Sequence, residues 1–189
     1  MIRKLAVTLV AFFAASIACS DTTFVSCTPQ QENVIEFAYS QAFSRAKDSE
    51  IRVGNTPSYV RWFGTWTQTR EDLVKEKLSA IIANALISTP EFRCRTATHP
   101  ACVGNRYAAV DLGTSFEVEI CPRFFGQVAG GDRTGVLIHE IAHFRMGANA
   151  GVDKCYGAVG PNNCLDLATT DPDAAVNSPD NYRLFIGNR

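Results

Sequence analysis

The chain has 189 residues, enough for one domain with a substantial hydrophobic core but not comfortably for two. Its 18 basic and 19 acidic side chains give a formal net charge of −1, so it lacks the basic excess that favours binding to nucleic acid or to an anionic membrane surface. We therefore expect one compact domain that binds neither.

Residues 1–20 have the organisation of a secretory signal peptide. A basic start is followed by an apolar stretch from Leu5 to Ile17, which is too short to span a bilayer. Small residues fit cleavage just before Cys19 or Asp21, and we take 21–189 as the mature domain, in an extracellular or periplasmic compartment. Two alternatives stay open: lipidation at Cys19, and retention of the segment as a buried first helix.

Six cysteines follow this segment, an even number that favours disulfide bridges in an oxidising compartment. They are Cys27, Cys94, Cys102, Cys121, Cys155 and Cys164. Three bridges are expected, and the sequence alone allows fifteen pairings. A zinc site made of cysteines is disfavoured because no Cys-x2-Cys pair occurs.

The first half of the chain predicts two amphipathic helices. Thr28 is a capping residue followed by proline and then by Gln31, and apolar residues recur at helical spacing from there to about Lys47. In residues 70–87 the apolar side chains again form one stripe, with the charged ones largely off it. Between the helices, the aromatic cluster at 62–66 is predicted to pack the core or to hold the helices apart.

The pattern changes between residues 92 and 122, where a small sheet is predicted. Residues 107–110 are apolar, and residues 116–120 alternate strictly between apolar and acidic, which is typical of strands. Turn residues precede both segments.

Three helix starts are predicted in the remaining chain. Gly130-Gly131-Asp132 interrupts the chain and caps a largely buried helix from about Thr134 to Met146. Two shorter helices should begin at Asp171-Pro172 and Ser178-Pro179, where a capping residue precedes a proline suited to the first turn.

The segment His139-Glu140-Ile141-Ala142-His143 is an H-E-x-x-H motif inside the predicted buried helix. Residues four apart lie on one helix face, so two imidazoles can hold one cation while Glu140 reaches a water bound to it. Zinc prefers such donors, and three protein ligands leave one position open for catalysis. The alternative is that His139 and His143 are ordinary core or surface residues. The third histidine, His99, is predicted to lie in a loop.

A third metal ligand must come from another part of the chain, and it must be a carboxylate because His143 is the last histidine. Asp153 is the nearest downstream candidate, in a glycine-bearing loop that could fold back to the metal. The other downstream candidates are Asp166, Asp171, Asp173 and Asp180.

Several further segments accompany the motif. They are 153–157 (Asp-Lys-Cys-Tyr-Gly), 165–168 (Leu-Asp-Leu-Ala), 171–176 (Asp-Pro-Asp-Ala-Ala-Val), 180–185 (Asp-Asn-Tyr-Arg-Leu-Phe) and 62–65 (Trp-Phe-Gly-Thr). In combination, and with the placement of the cysteines, they resemble the deuterolysin or aspzincin metallopeptidases, especially the peptidyl-Lys metalloendopeptidase branch. The resemblance covers nearly the whole mature chain.

The resemblance implies an α+β, zincin-like metallopeptidase domain, mostly helical with a small antiparallel-containing sheet. It implies one catalytic Zn²⁺ held by His139, His143 and Asp153. It also implies that Tyr156 stabilises the oxyanion, a role suited to a phenol that can donate a hydrogen bond where charge develops. The loop at 150–152 departs from the family pattern, in which Gly-Thr usually stands shortly before the aspartate.

Specificity and disulfide pairing are further implications of the resemblance. Asp180 falls where the lysine-specific branch carries an acid lining the S1′ pocket. Arg183 falls where that branch often has a second acid, so preference for lysine stays open. The resemblance also implies the bridges Cys27–Cys94 and Cys102–Cys121, which leaves Cys155 to pair with Cys164.

The leading interpretation is a secreted, monomeric endopeptidase that acts on protein or peptide substrates, with Glu140 as general base. One alternative is a non-catalytic secreted or surface protein that retains the fold as a binding module or effector, although an intact Glu140 argues against it. Another is a disulfide-rich structural module, which explains the cysteines but not the H-E-x-x-H motif.

Overall fold

The computed structural model describes residues 22–87, 90–111, 116–126, 132–144 and 153–187. The predicted signal peptide, Cys19, the glycines at 130–131, Met146 and the loop at 150–152 lie outside these ranges. Within them the fold is α+β, as predicted, with many helices and one small sheet. None of the described helices is both long and apolar enough to cross a bilayer.

The sheet has four strands, and it is mixed. The strands are β1 (Thr23–Val25), β2 (Glu91–Cys94), β3 (Ala108–Val110) and β4 (Glu117–Ile120). Their order is β1-β2-β4-β3, in which the first three run parallel and β3 pairs antiparallel with β4 at one edge. The sequence pattern predicted β3 and β4 but missed β1 and β2, which have three and four residues.

Side chains alternate between the two faces of this sheet. Phe92 lies beside Val118, and both are fully buried against the helices. The acidic and basic residues of β2 and β4 share the other face, where Arg93 pairs with Glu91 and Glu117. The sheet is therefore a platform with one apolar face toward the core.

Helices make up most of the described chain. They are α1 (Pro29–Ser49), α2 (Pro57–Phe63), α3 (Gln68–Ile87), α4 (Pro122–Phe125), α5 (Arg133–His143), α6 (Cys164–Thr170), α7 (Pro172–Ala175) and α8 (Pro179–Gly187). The two long helices and the starts of α5, α7 and α8 confirm the predictions, each within about two residues. The short helices α2, α4 and α6 were not predicted.

The predicted start of α1 is a complete capping box. The Thr28 hydroxyl accepts a hydrogen bond from the Gln31 backbone N–H at 3.3 Å. In return, the Gln31 side chain accepts one from the Thr28 N–H at 2.8 Å. Two N–H groups that lack an intrahelical partner are thus satisfied at this end.

The core lies between the sheet and the helices, with α5 packed among α1, α3, α8 and β3. Part of the predicted aromatic cluster belongs to this core: Phe63 lies 5.0 Å from Tyr182 and 5.2 Å from Phe185, ring centre to ring centre. Gly64 then ends α2 with a φ of 75°, and a Cβ there would lie 2.1 Å from the Ala168 carbonyl oxygen. Only glycine fits this position.

The three expected disulfides are present, and each pairing is confirmed. Cys27–Cys94 joins the chain after β1 to the end of β2. Cys102–Cys121 joins a short 3-10 turn to the end of β4. Cys155–Cys164 closes the loop that leads into α6.

Candidate active site

Helix α5 carries the H-E-x-x-H motif, and its start is held in place by Asp132. The carboxylate accepts a hydrogen bond from the Gly135 N–H at 2.9 Å and an ion-pair contact from Arg45 at 3.0 Å. A Cβ at position 135 would lie 2.1 Å from the Asp132 carboxylate, so glycine allows this close approach. The helix is anchored at its start, about two turns before the first histidine.

The two imidazoles of the motif converge on Asp153. His139 Nε2 lies 3.2 Å from His143 Nε2. Asp153 Oδ1 lies 3.2 Å from the first nitrogen and 3.4 Å from the second. Three ligands at about 2.0–2.1 Å from zinc in tetrahedral array lie about 3.3–3.4 Å from one another. The three donor atoms are therefore spaced as one Zn²⁺ requires.

Asp153 provides a second indication of a metal centre. Its Oδ1 is buried and has no hydrogen-bond partner among the described residues. Burial raises the pKa of this carboxyl, but its contacts with His139 and His143 outweigh burial and hold the pKa well below its usual range. A buried anionic oxygen that faces two imidazole nitrogens is what a divalent cation would neutralise.

The other carboxylates considered as ligands have local partners instead. Asp171 caps α7 through the Ala174 N–H at 2.9 Å. Asp166 accepts from the Asn163 side chain at 2.7 Å, and Asp173 pairs with Arg70 at 2.7 Å. Among the described residues, His139, His143 and Asp153 are the cluster of potential ligand side chains that lie close enough together to hold one metal ion. His99 caps the turn at Pro100–Cys102.

Glu140 follows the first histidine and lines the same cleft. Its side chain is buried, and burial raises the pKa of its carboxyl above the usual value, although the adjacent histidines oppose the shift. A buried carboxylate beside a metal site can accept a proton and return it within the same catalytic cycle.

Tyr156, in the loop after Asp153, lies beside this group of candidate ligands. Its hydroxyl donates a hydrogen bond to Asp153 Oδ2 at 2.5 Å, and its ring stacks beside His139 with the ring centres 6.3 Å apart. The residue is 60% exposed. Burial of the hydroxyl and the Asp153 contact raise the pKa of the phenol above its usual value, so it keeps its proton at neutral pH.

Asp180 lies behind His139, in the first turn of α8. Its Oδ1 is 3.0 Å from His139 Nδ1, and its Oδ2 accepts from the Gly157 N–H at 2.6 Å. Arg183 contacts both oxygens. Burial raises the pKa of Asp180, but the bonds to Arg183 and His139 outweigh it and hold the pKa well below the usual range. A carboxylate on the far nitrogen of a metal-binding histidine fixes the tautomer and the ring.

His139, His143 and Asp153 line an open cleft of about 550 Å³. Its lining includes the β3 strand, Arg106 just before that strand, and Asp180 and Arg183 of α8. The sequence pattern identified β3 as a strand but did not indicate that it borders the site. No local signal marked Arg106.

An H-E-x-x-H helix whose two histidines meet an aspartate carboxylate, in an open cleft with a buried glutamate, is typical of a metal-dependent peptidase. Residues 46–187 match the aspzincin family, described as lysine-specific metallo-endopeptidase. The chain belongs to this family, and the protein is a zinc metalloendopeptidase.

Individual relatives are similar over most of this chain. A peptidyl-Lys metalloendopeptidase of Pleurotus ostreatus is 31% identical over 173 residues, covering 88% of this chain and 96% of that protein. An extracellular protease of Aeromonas hydrophila is also 31% identical over 86% of this chain, which spans only 46% of that protein. The solved zinc peptidase of Grifola frondosa superimposes with a TM-score of 0.70 at 27% identity, covering 86% of this chain and 97% of the other.

Proposed function

We propose that this protein is a secreted, monomeric zinc endopeptidase in which His139, His143 and Asp153 hold the ion and Glu140 is the general base. The observation that supports this most directly is the buried, unpartnered Asp153 Oδ1 at 3.2 and 3.4 Å from the two imidazole nitrogens. A purely structural role for these residues would not explain why a buried carboxylate oxygen lacks a hydrogen bond among the described residues.

The chain's own residues divide the chemistry between them. When bound, zinc supplies Lewis acidity, which polarises the scissile carbonyl and makes water nucleophilic near neutral pH. Glu140 takes a proton from the attacking water and delivers it to the leaving amine. Tyr156 turns its hydroxyl from Asp153 toward the carbonyl oxygen and donates a hydrogen bond as negative charge develops there.

The substrate is proposed to bind as an extended peptide along β3. This strand is at the edge of the sheet, and its second edge has no paired strand among the described residues. Unpaired backbone groups at a sheet edge are a template for one more strand. Ala108 and Ala109 line the cleft and are small, which leaves room for substrate side chains.

Secretion and specificity are also parts of the proposal. The three disulfides support an exported protein, as does the similarity to an extracellular protease of Aeromonas. The names of the peptidyl-Lys relatives suggest lysine after the scissile bond as one hypothesis, with Asp180 as its partner. In this chain Asp180 already pairs with Arg183, so a substrate lysine would compete with this arginine for the carboxylate.

The decisive experiment measures zinc and peptidase activity on the same preparations. We expect the purified protein to contain one zinc and to cleave casein in a chelator-sensitive way. Glu140→Ala should keep its zinc and its melting temperature but lose about 10²–10⁴-fold in activity, the usual contribution of a general base. Glu36→Ala, on the exposed side of α1, is the matched control and should behave as wild type.

Two results would contradict the proposal. An active Glu140→Ala variant would remove the proposed base, and zinc-loaded wild type without chelator-sensitive cleavage would favour a binding protein. Variants of the ligands separate the roles further: Asp153→Ala should lose zinc together with activity, since it removes one of three protein ligands.

A further inference from the structure

The charged side chains of the cleft, apart from the metal ligands and Glu140, are two acids and two bases. The acids are Asp132 and Asp180, and the bases are Arg106 and Arg183. A substrate side chain that enters this cleft meets the charges that these four groups leave unpaired. Their pairing therefore determines which substrates the cleft favours.

Both acids already have a guanidinium partner within the chain. The Asp180 side chain is 4% exposed, and its oxygens are shared among Arg183, the His139 ring and the Gly157 N–H. Asp132 Oδ1 accepts from Arg45 at 3.0 Å and also caps α5. A lysine ammonium would therefore compete with one of the chain's own guanidinium groups for the charge of either carboxylate.

The bases are less fully used. Arg106 is exposed and has no hydrogen-bond or ion-pair partner among the described residues. Arg183 uses Nε and Nη2 on Asp180, which leaves part of its five N–H donors free, and its side chain is 25% exposed. The cleft thus offers unpaired donors to an anion, whereas the charge of each of its two acids is already neutralised by an arginine of the chain.

We propose that this peptidase selects against lysine beside the scissile bond and prefers an acidic side chain there, with Arg183 as the residue that determines the preference. The inference rests on the proposed function and assigns its substrate class. Arg183 acts twice: it neutralises Asp180, and it presents its remaining donors, together with Arg106, to a substrate carboxylate. A carboxylate is the group that a guanidinium binds best.

The test is a map of cleavage sites in denatured proteins, read by mass spectrometry, with kcat/KM for two peptides that differ only in Glu or Lys beside the cleaved bond. For wild type we expect acidic residues to be enriched and the Glu peptide to be cleaved at least about tenfold faster, because a glutamate would pair with the Arg183 and Arg106 guanidinium groups whereas a lysine would be repelled by them. Arg183→Glu should reverse the preference, and Arg183→Met should abolish it.

Two further variants make the result specific. Arg106→Met should weaken the acidic preference without creating one for lysine. Arg61→Met removes a guanidinium that stacks on Trp62 outside the cleft, and its map should match wild type. Each preference is a ratio within one variant, so a variant with low total activity still reports it.

Lysine enrichment in the wild-type map, or equal maps for wild type and Arg183→Met, would overturn the inference. Failure of the proposed function is distinguishable, since it would appear as no chelator-sensitive cleavage at all. In that event the same two peptides are tested for binding to the zinc-loaded Glu140→Ala protein. The inference requires the Glu peptide to bind more tightly there too, and equal or weaker binding would reject it.

Discussion

Removing the three disulfides one at a time should separate their contributions to stability from their contributions to activity. The bridges span sequence separations of 67, 19 and 9 residues. The loss of chain entropy in the unfolded state then gives about 4.4, 3.2 and 2.6 kcal/mol respectively. Replacing both cysteines by alanine should therefore destabilise the protein most at Cys27–Cys94 and least at Cys155–Cys164.

Activity should depend most on Cys155–Cys164, the bridge that contributes least to stability. Cys155–Cys164 lies in the loop that carries Asp153 and Tyr156, and the chain beyond it leads into α6. Without the bridge, Asp153 and Tyr156 would be positioned mainly by the backbone hydrogen bonds of this loop, such as the one from the Tyr156 N–H to the Asn162 carbonyl. We expect zinc affinity to fall about 10–100-fold, as it does when groups that orient a metal ligand are lost. The two bridges at the sheet should affect zinc affinity much less.

The assay combines three measurements on each double-alanine variant: the free energy of unfolding from urea titration, zinc affinity by competition with a chelator, and kcat on a peptide substrate. The reasoning would be refuted if the Cys155–Cys164 variant kept wild-type zinc affinity and kcat while unfolding as expected. It would equally fail if all three variants lost zinc in proportion to their loss of stability.

Two further substitutions test the site and the fold. Tyr156→Phe should lower kcat about 10²–10³-fold with zinc content unchanged, because it removes a donor to the oxyanion; a lower zinc content instead would mean that the hydroxyl acts through Asp153. Gly64→Ala should lower the free energy of unfolding by more than about 2 kcal/mol, because φ is positive and the new Cβ would meet the Ala168 carbonyl. Gly104→Ala is its control, with φ of 82° but nothing within 4 Å of the Cβ, and it should cost about 1–2 kcal/mol in the same urea titration.

Periodicity predicted the long elements well because each of them repeats its pattern several times. Helices α1 and α3 have 21 and 20 residues, enough turns for an apolar stripe to be recognised. Helices α2 and α6 have 7 residues each, and β1 has 3, too few for any period to be evident. Both short helices nevertheless have capping signals, Thr56 before Pro57 and Asn163, which could have identified them.

The site was predictable where its residues are close in sequence. The spacing of His139, Glu140 and His143 gives one helix face, and that face is a property of any helix. Asp153 could be singled out from the other acids only as the nearest, or by family resemblance, because its approach to the histidines depends on how the loop folds. The contribution of β3 to the cleft depends on tertiary packing, which no local pattern encodes.

Asp180 shows why the choice of a residue does not by itself reveal its role. An acid and a base three residues apart on a helix are within reach of each other, so the pairing with Arg183 could be anticipated from the sequence. The contact with His139 Nδ1, 41 positions away, could not. The two possible roles of this carboxylate make opposite demands: orienting a metal ligand requires a fixed, satisfied hydrogen bond, whereas selecting a cationic substrate requires a charge that stays unpaired until the substrate arrives. An acid at position 183 would leave the negative charge of Asp180 available to a cationic substrate. Arg183 instead neutralises that charge within the protein.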